Sequence, residues 1–335
     1  MVQKSTPKSA WFFLCITYFI LVLFAGLRDS FVGTDTNNYV YYFIHNNNKD
    51  IFDNDSRKEI GFAVLNNIIS RISSQYWLLL TAIAAIAVYF HLKAIKQLSS
   101  NFFISIFLFI TLATYLFFFN GARQGIAAAI FGMAIIQVIR GSFIRYLFWI
   151  IIASLFHETA LIGLPLYYFL RSGFSLKNTL INIVLFSTVL FLVFSTISFS
   201  DSSFEKYGAY IDRGALGGGG FTFFYTASIL IFMFLRKYIL ESDIKRYDIY
   251  LNLTLIQSLI FLFVFFLKLD VNLMRLNIYF SLGSILIWPI LFRNVKGLNS
   301  GFAVLVFVVV HLIFFYLALS QAKMDTYILN RAIFT

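Results

Sequence analysis

The chain has 335 residues, of which 60% are hydrophobic and only 12% are charged, and its net charge is +11. A mean hydropathy of +0.83 lies well above that of soluble domains, so a soluble enzyme and a disordered chain are both excluded. The single cysteine, Cys15, cannot form an internal disulfide. We therefore expect an all-α polytopic integral membrane protein.

The first apolar run covers residues 10–27 and follows Lys4 and Lys8, as the apolar core of a signal peptide would. It is longer than a usual signal core and no small-residue cleavage site follows it, so it predicts an uncleaved anchor. Eight further runs are predicted to cross the bilayer: residues 77–92, 102–119, 122–139, 180–199, 221–235, 251–267, 276–292 and 302–319.

Two shorter apolar runs, residues 144–156 and 160–170, flank a His-Glu pair and predict a hairpin of two short helices. The total is about eleven transmembrane helices in a single helical membrane domain, residues 1–335. The apolar run 60–72 contains two asparagines and an arginine, and counting it as a span would invert every later loop. We therefore place it outside as an interfacial or re-entrant helix. The outer loops are then residues 28–74 and 200–220.

The distribution of charge indicates the orientation. With a cytoplasmic N-terminus, the inner loops carry fourteen lysines and arginines against three acidic residues, and the outer face is neutral. Cytoplasmic loops of membrane proteins are enriched in Lys and Arg in this way. The pattern predicts a cytoplasmic N-terminus and a periplasmic C-terminus. It also explains the basic composition without a nucleic-acid partner.

Three arginines fall at the same outer membrane boundary: Arg28, Arg123 and Arg275. The last two lie near the starts of helices that run inward, where free N–H groups and the positive end of the helix dipole favour phosphate oxygens. Each arginine alone could merely snorkel to the interface, and Asp29 and Asp270 could pair with Arg28 and Arg275. Three arginines at one depth favour a site for a lipid-linked phosphate or pyrophosphate.

His157 and Glu158 lie between the two short helices, also at the outer boundary. The histidine could act as a base or hold a substrate, or it could satisfy a local backbone group. Because ionisable groups in a membrane are costly, we favour a function. His311 has no ionisable neighbour and is assigned to helix packing. Metal-ligand spacings and nucleotide-binding motifs are absent, so we expect no metal and no cofactor.

Five short motifs, in order from Arg28 to Tyr279, resemble those of the EpsG family. They are Arg28-(x)4-Gly33-Thr34-Asp35-Thr36-(x)2-Tyr39, Glu59-Ile60-Gly61-Phe62, Asn120-Gly121-Ala122-Arg123-Gln124-Gly125-Ile126-Ala127, Ala153-Ser154-Leu155-Phe156-His157-Glu158-Thr159-Ala160 and Arg275-(x)3-Tyr279, with a further match at Met324-Asp325-Thr326-Tyr327. Glu158 stands where a small or polar residue is more usual, and Asn120-Gly121-Ala122 differs from a commoner Asn-x-Ile. These departures leave the role of Glu158 open.

The resemblance implies a Wzy-like O-antigen or exopolysaccharide polymerase of the bacterial inner (cytoplasmic) membrane. Such a glycosyltransferase joins undecaprenyl-pyrophosphate-linked repeat units at the outer leaflet during O-antigen, capsule or exopolysaccharide synthesis. Its implied partners are the lipid-linked oligosaccharide, membrane lipid, a flippase and a chain-length regulator. Carried onto this chain, the resemblance implies catalytic roles for Asp35, Glu59 and His157. It implies pyrophosphate or glycan binding by Arg28, Arg123, Gln124, Arg275 and Tyr279.

Other classes remain as alternatives. A lipid-linked oligosaccharide flippase or transporter would be expected to carry charged or discontinuous helices through the midplane, which here is apolar apart from His311. A membrane O-acyltransferase could use His157, but it needs a route for the acyl donor from the inner face. An O-antigen ligase uses the same donor as a polymerase, so the sequence separates these two poorly.

Overall fold

The computed structural model describes residues 8–45, 59–175, 177–181, 183–188, 218–269, 271–321 and 327–330. Within these ranges the chain is helical, and the only β-type pairing is an isolated antiparallel bridge between Arg28 and Leu329. The all-α class is therefore confirmed. Asp270, the tail match at 324–326, residues 189–199 of the predicted span 180–199 and most of the loop 200–220 lie outside the described residues.

The helices follow one another with short connections. The first group is α1 Lys8–Gly26, α2 Thr36–His45, α3 Ile60–Ile72, α4 Tyr76–Leu98, α5 Phe102–Thr111, α6 Phe117–Asn120 and α7 Ala122–Arg140. The second group is α8 Phe143–Ser154, a 3-10 helix Glu158–Gly163, α9 Leu166–Arg171, α10 Gly219–Leu235, a 3-10 turn Arg236–Tyr238, α11 Glu241–Phe266, a 3-10 helix Val271–Phe280, α12 Ser281–Asn294 and α13 Gly301–Gln321. Residues 177–181 and 183–188 are also helical.

Six of the described helical segments are long and apolar enough to cross a membrane, which makes this a multi-pass membrane protein. They are Tyr76–Leu98, Ala122–Arg140, Gly219–Tyr238, Glu241–Phe266, Asn272–Asn294 and Gly301–Gln321. Each coincides with a run predicted from the sequence. The total of about eleven spans and the cytoplasmic side of the N-terminus stay predictions.

The predicted span 102–119 is not one continuous helix. Helix α5 ends at Thr111, the chain turns through residues 112–116, and α6 begins at Phe117. Within the turn Ala113 has a φ of 58°, a left-handed conformation that a non-glycine residue adopts at an energetic cost. Apolar periodicity cannot reveal such a break, because the residues on both sides of it are equally apolar.

Helix α7 lies at the centre of the bundle and the outer walls are formed by other helices. In its most apolar stretch 89% of α7 is buried, whereas α10 and α13 are only 28% and 22% buried in theirs. Small residues on α7 allow its neighbours to approach closely. Gly132, for example, lies against Ala94 of α4 and Leu282 of α12. The exposed faces of α10 and α13 are consequently the ones offered to lipid.

Polar residues gather at the two ends of the bundle. At one end Arg140 donates to Gln97 Oε1 at 2.9 Å, and Arg236 binds Asp248 through two hydrogen bonds. Arg123 lies at the other end of α7, seventeen residues from Arg140 and so about 26 Å away along the helix. The two polar sets are thus separated by roughly the thickness of a membrane core, as two opposite faces would be.

The segment 327–330 packs beside the end of α1. The amide of Asp29 donates to the carbonyl of Ile328 at 2.8 Å, and the amide of Asn330 donates to that of Leu27 at 2.9 Å. Residues 327–330 therefore lie at the same end of the bundle as the loop that follows α1.

Candidate active site

The loop between α1 and α2 is tied to the corner between α6 and α7. Gly33 has a φ of +95°, where a side chain would also collide with the backbone of Phe119. The amide of Thr34 donates to Asn120 Oδ1 at 2.8 Å, and the hydroxyl of Thr36 donates to the carbonyl of Phe119 at 2.9 Å. These bonds fix the position of Asp35, which lies between the two threonines.

Glu59 is the centre of the candidate site. It precedes α3, its side chain is 11% exposed, its Oε2 accepts a hydrogen bond from Arg123, and its Oε1 contacts Nδ1 of His157. The amide of Gly61 donates to the carbonyl of Leu155 at 2.7 Å, which brings the start of α3 against the end of α8. The backbone therefore brings together three residues that are far apart in sequence.

The charge of Glu59 is set by its two partners. Burial alone would raise the pKa of Glu59, but the bonds from His157 and Arg123 outweigh it and hold that pKa below its usual range. Burial raises the pKa of Tyr39, whose ring lies 6.0 Å from the Arg123 guanidinium and whose hydroxyl bonds to it. At neutral pH the site thus holds a carboxylate and a neutral phenol around one arginine.

This pKa shift predicts a dependence of stability on pH. Because the folded state holds the pKa of Glu59 below its ordinary 4.5, the ionised carboxylate stabilises the fold at neutral pH. That contribution should be lost as the pH falls below 4.5 and through the folded pKa. In thermal melts of the detergent-solubilised protein between about pH 6 and about pH 4, we expect the Tm of Glu59→Gln to fall less than that of the wild type. Parallel declines in the two proteins would contradict the shift.

A second ion pair lies on the 3-10 helix Val271–Phe280. Arg275 Nη1 donates to Asp35 Oδ2 at 3.1 Å, with side chains that are 40% and 28% exposed. Gln124 Nε2 donates to the carbonyl of Arg275 at 3.2 Å, and the hydroxyl of Tyr279 lies 2.8 Å from that of Thr159. These contacts connect the start of α7 with the 3-10 helix and with the segment that follows His157.

Arg28 is placed differently from the other predicted ligands. It is fully buried, its guanidinium lies 4.3 Å from the ring centre of Phe119, and it donates to the carbonyl of Ala25 and, at 3.4 Å, to Thr36 Oγ1. Burial lowers its pKa to about 10, so it stays protonated at neutral pH. Asp29 Oδ1 instead accepts the amide of Phe31 at 3.1 Å. In this structure Arg28 supports the loop, and its predicted binding of pyrophosphate stays a prediction.

The structure brings the remaining predicted residues to one end of the bundle: Asp35, Glu59, Arg123, Gln124, His157, Arg275 and Tyr279. The sequence had joined His157 to Glu158, but its partner is Glu59, and Glu158 is exposed at the start of a 3-10 helix. Sequence reasoning also missed the polar contacts of Tyr39, Asn120 and Thr159. All three lie within the quoted motifs, which was the only available signal.

The arrangement combines a possible base with accessible cations. Glu59 holds Nδ1 of His157, which orients the ring and leaves Nε2 for a proton from another molecule. The Arg123 side chain is 46% exposed, so part of its donor fork faces outward. Within the part of the chain that the structure describes, no cluster of three His, Cys, Asp or Glu could hold a metal ion. The described groups suit proton abstraction beside a bound anion.

A family model described as the EpsG family matches residues 11–330, nearly the whole chain. Comparisons with curated proteins and with solved structures find no match.

Proposed function

Because this chain belongs to the EpsG family, whose members are Wzy-like polymerases, we propose that it joins lipid-linked repeat units into a polysaccharide. The donor is a glycan carried on undecaprenyl pyrophosphate, and the acceptor is a sugar hydroxyl of another lipid-linked unit. The observation that carries the proposal is Glu59, which is shared by His157 and Arg123 at the same end of the bundle as Arg275.

The reaction needs a base and a charge stabiliser, and the site offers both. The acceptor oxygen attacks the anomeric carbon, and its proton passes to Nε2 of His157 while Glu59 stabilises the imidazolium that forms. The bond between the anomeric carbon and the pyrophosphate oxygen breaks, and its electron pair leaves with the lipid pyrophosphate. Arg123 and Arg275 bind that leaving group as its charge develops.

The other predicted residues have supporting roles in this proposal. Gln124 holds the backbone of Arg275, and Tyr279 ties the same 3-10 helix to the segment after His157. Asp35 pairs with Arg275 until an anionic substrate takes its place. The proposed site thus has a cation on each side of its base.

The reaction is proposed for the outer leaflet of the bacterial cytoplasmic membrane, so the site must face outward. A single cysteine at Phe31, whose side chain is 76% exposed, in a Cys15→Ser background should react with an impermeant maleimide in intact cells. A cysteine at Lys245 should react only after lysis, because the positive-inside pattern places it in the cytoplasm. The reverse result for the two positions would contradict the orientation.

Deletion of the gene tests the function itself. We expect cells that lack the protein to keep making repeat units but to lose long polysaccharide, with single units on the acceptor lipid, as seen on gels of extracted glycans. Plasmid-borne wild type should restore the ladder. Accumulation of lipid-linked units on the cytoplasmic leaflet would favour a flippase instead, and normal chain length without attachment to the lipid core would favour a ligase.

A further inference from the structure

An elongated cavity of about 330 Å³ opens beside the proposed site. Its polar end is formed by Arg275, Asn120 and Gln321, and its other end by aromatic side chains that include Phe221 and Phe314. Gln321 and Phe314 lie seven residues apart on α13, so the cavity extends about 10 Å along that helix. It therefore runs from a charged mouth into an apolar interior, and its volume is that of a small-molecule site.

The walls of this cavity separate it from the bilayer by little protein. Two of them belong to α10 and α13, which have the most exposed faces among the spans. Across this wall Phe314 contacts Phe221 and Phe224, with ring centres 5.2 Å and 4.3 Å apart. An apolar chain can thus enter from the side by displacing aromatic rings rather than by breaking hydrogen bonds.

We propose that the cavity binds the isoprenoid segment next to the diphosphate of the lipid-linked donor. This inference rests on the proposed function and adds the place of the lipid tail. Arg275 lines the mouth and also pairs with Asp35 of the active site, so one residue belongs to both places. A diphosphate at Arg275 directs its tail into the aromatic interior and its glycan toward Glu59 and His157. Free pyrophosphate would use the mouth alone and leave the apolar part empty.

Filling the cavity tests this assignment. Ala318 lines the cavity and is 7% exposed, whereas Leu317, its neighbour on α13, is 47% exposed and does not line it. We expect Ala318→Trp to bind undecaprenyl diphosphate in nanodiscs at least about tenfold more weakly, the loss from excluding roughly two buried methylene groups. Leu317→Trp should bind like the wild type. Native mass spectrometry at matched folded fractions measures both.

The outcomes separate this inference from the proposed function. If the wild type and Ala318→Trp bind undecaprenyl diphosphate equally, the cavity assignment is wrong and the donor assignment stands. If the wild type does not bind it at all, the donor assignment itself fails. Equal competition by phosphatidylglycerol would show a general lipid pocket and would also overturn the inference.

A second measurement needs no variant and so does not depend on folding of Ala318→Trp. A polyprenyl diphosphate with a diazirine in its first isoprene units should label peptides from residues 112–120, from α10 and from α13 in the wild type. Excess undecaprenyl diphosphate should suppress the labelling. Labelling confined to other faces of the bundle would contradict the proposal.

Discussion

Glu59→Gln is expected to abolish long polysaccharide while the protein still inserts in the membrane. The amide keeps the shape of the side chain but removes the charge that binds Arg123 and orients His157. Loss of a positioned base costs a rate factor on the order of a thousand. Glycan gels from the deletion strain carrying this variant should therefore show single repeat units, at a protein level matched by immunoblot.

Glu158→Gln is the matched control for that experiment. It makes the same chemical change ninety-nine positions along the chain, beside the same histidine, at a carboxylate that is exposed. We expect it to give a wild-type ladder. If Glu158→Gln abolished polymer while Glu59→Gln did not, the pairing seen in the structure would have no catalytic meaning.

The second large effect is expected from Arg123→Lys and Arg275→Lys. If these arginines bind pyrophosphate through their planar forks, lysine keeps the charge but loses the bidentate geometry, so each substitution should be nearly as damaging as alanine. A lost donor to a developing oxyanion costs about 3 kcal/mol, or on the order of a hundredfold in rate. We expect strongly shortened chains from both variants.

Arg145→Lys serves as the control for the arginine pair. Arg145 is exposed on α8, near the end of the bundle opposite the site, and should tolerate lysine. Polymer length on gels, at matched expression, compares the three variants. Wild-type ladders from both Arg123→Lys and Arg275→Lys would show that these arginines merely reach the interface, and the proposed chemistry would be wrong.

Much of the fold could be predicted because lipid imposes a simple rule on sequence. A segment that crosses the bilayer must be helical and apolar, so the hydropathy pattern located α4, α7 and the four long helices of the second half. The same rule is silent about what happens within an apolar stretch. The break after Thr111 and the 3-10 geometry of Val271–Phe280 depend on tertiary packing, which leaves no trace in hydropathy.

The site was predicted as a set of residues but not as a set of contacts. Costly charges at the membrane boundary identified Arg123 and Arg275, and the motif resemblance added Glu59. Partners were chosen by proximity in sequence, which gave His157 to Glu158 and Arg275 to Asp270, whereas the structure joins His157 to Glu59 and Arg275 to Asp35. Contacts between residues about one hundred or more positions apart depend on how the helices are arranged in space, and one sequence does not contain that information.

The packing of residues 327–330 against the end of α1 has a consequence for biosynthesis. Tyr327 donates to the carbonyl of Phe24, a partner that was synthesised 303 residues earlier. The loop that carries Asp35 begins at this junction, so it remains without its final backbone partners while the ribosome is still translating the later helices. The nascent chain can therefore complete this end of the bundle only after α13 has entered the membrane, which makes assembly of the site a late event in insertion.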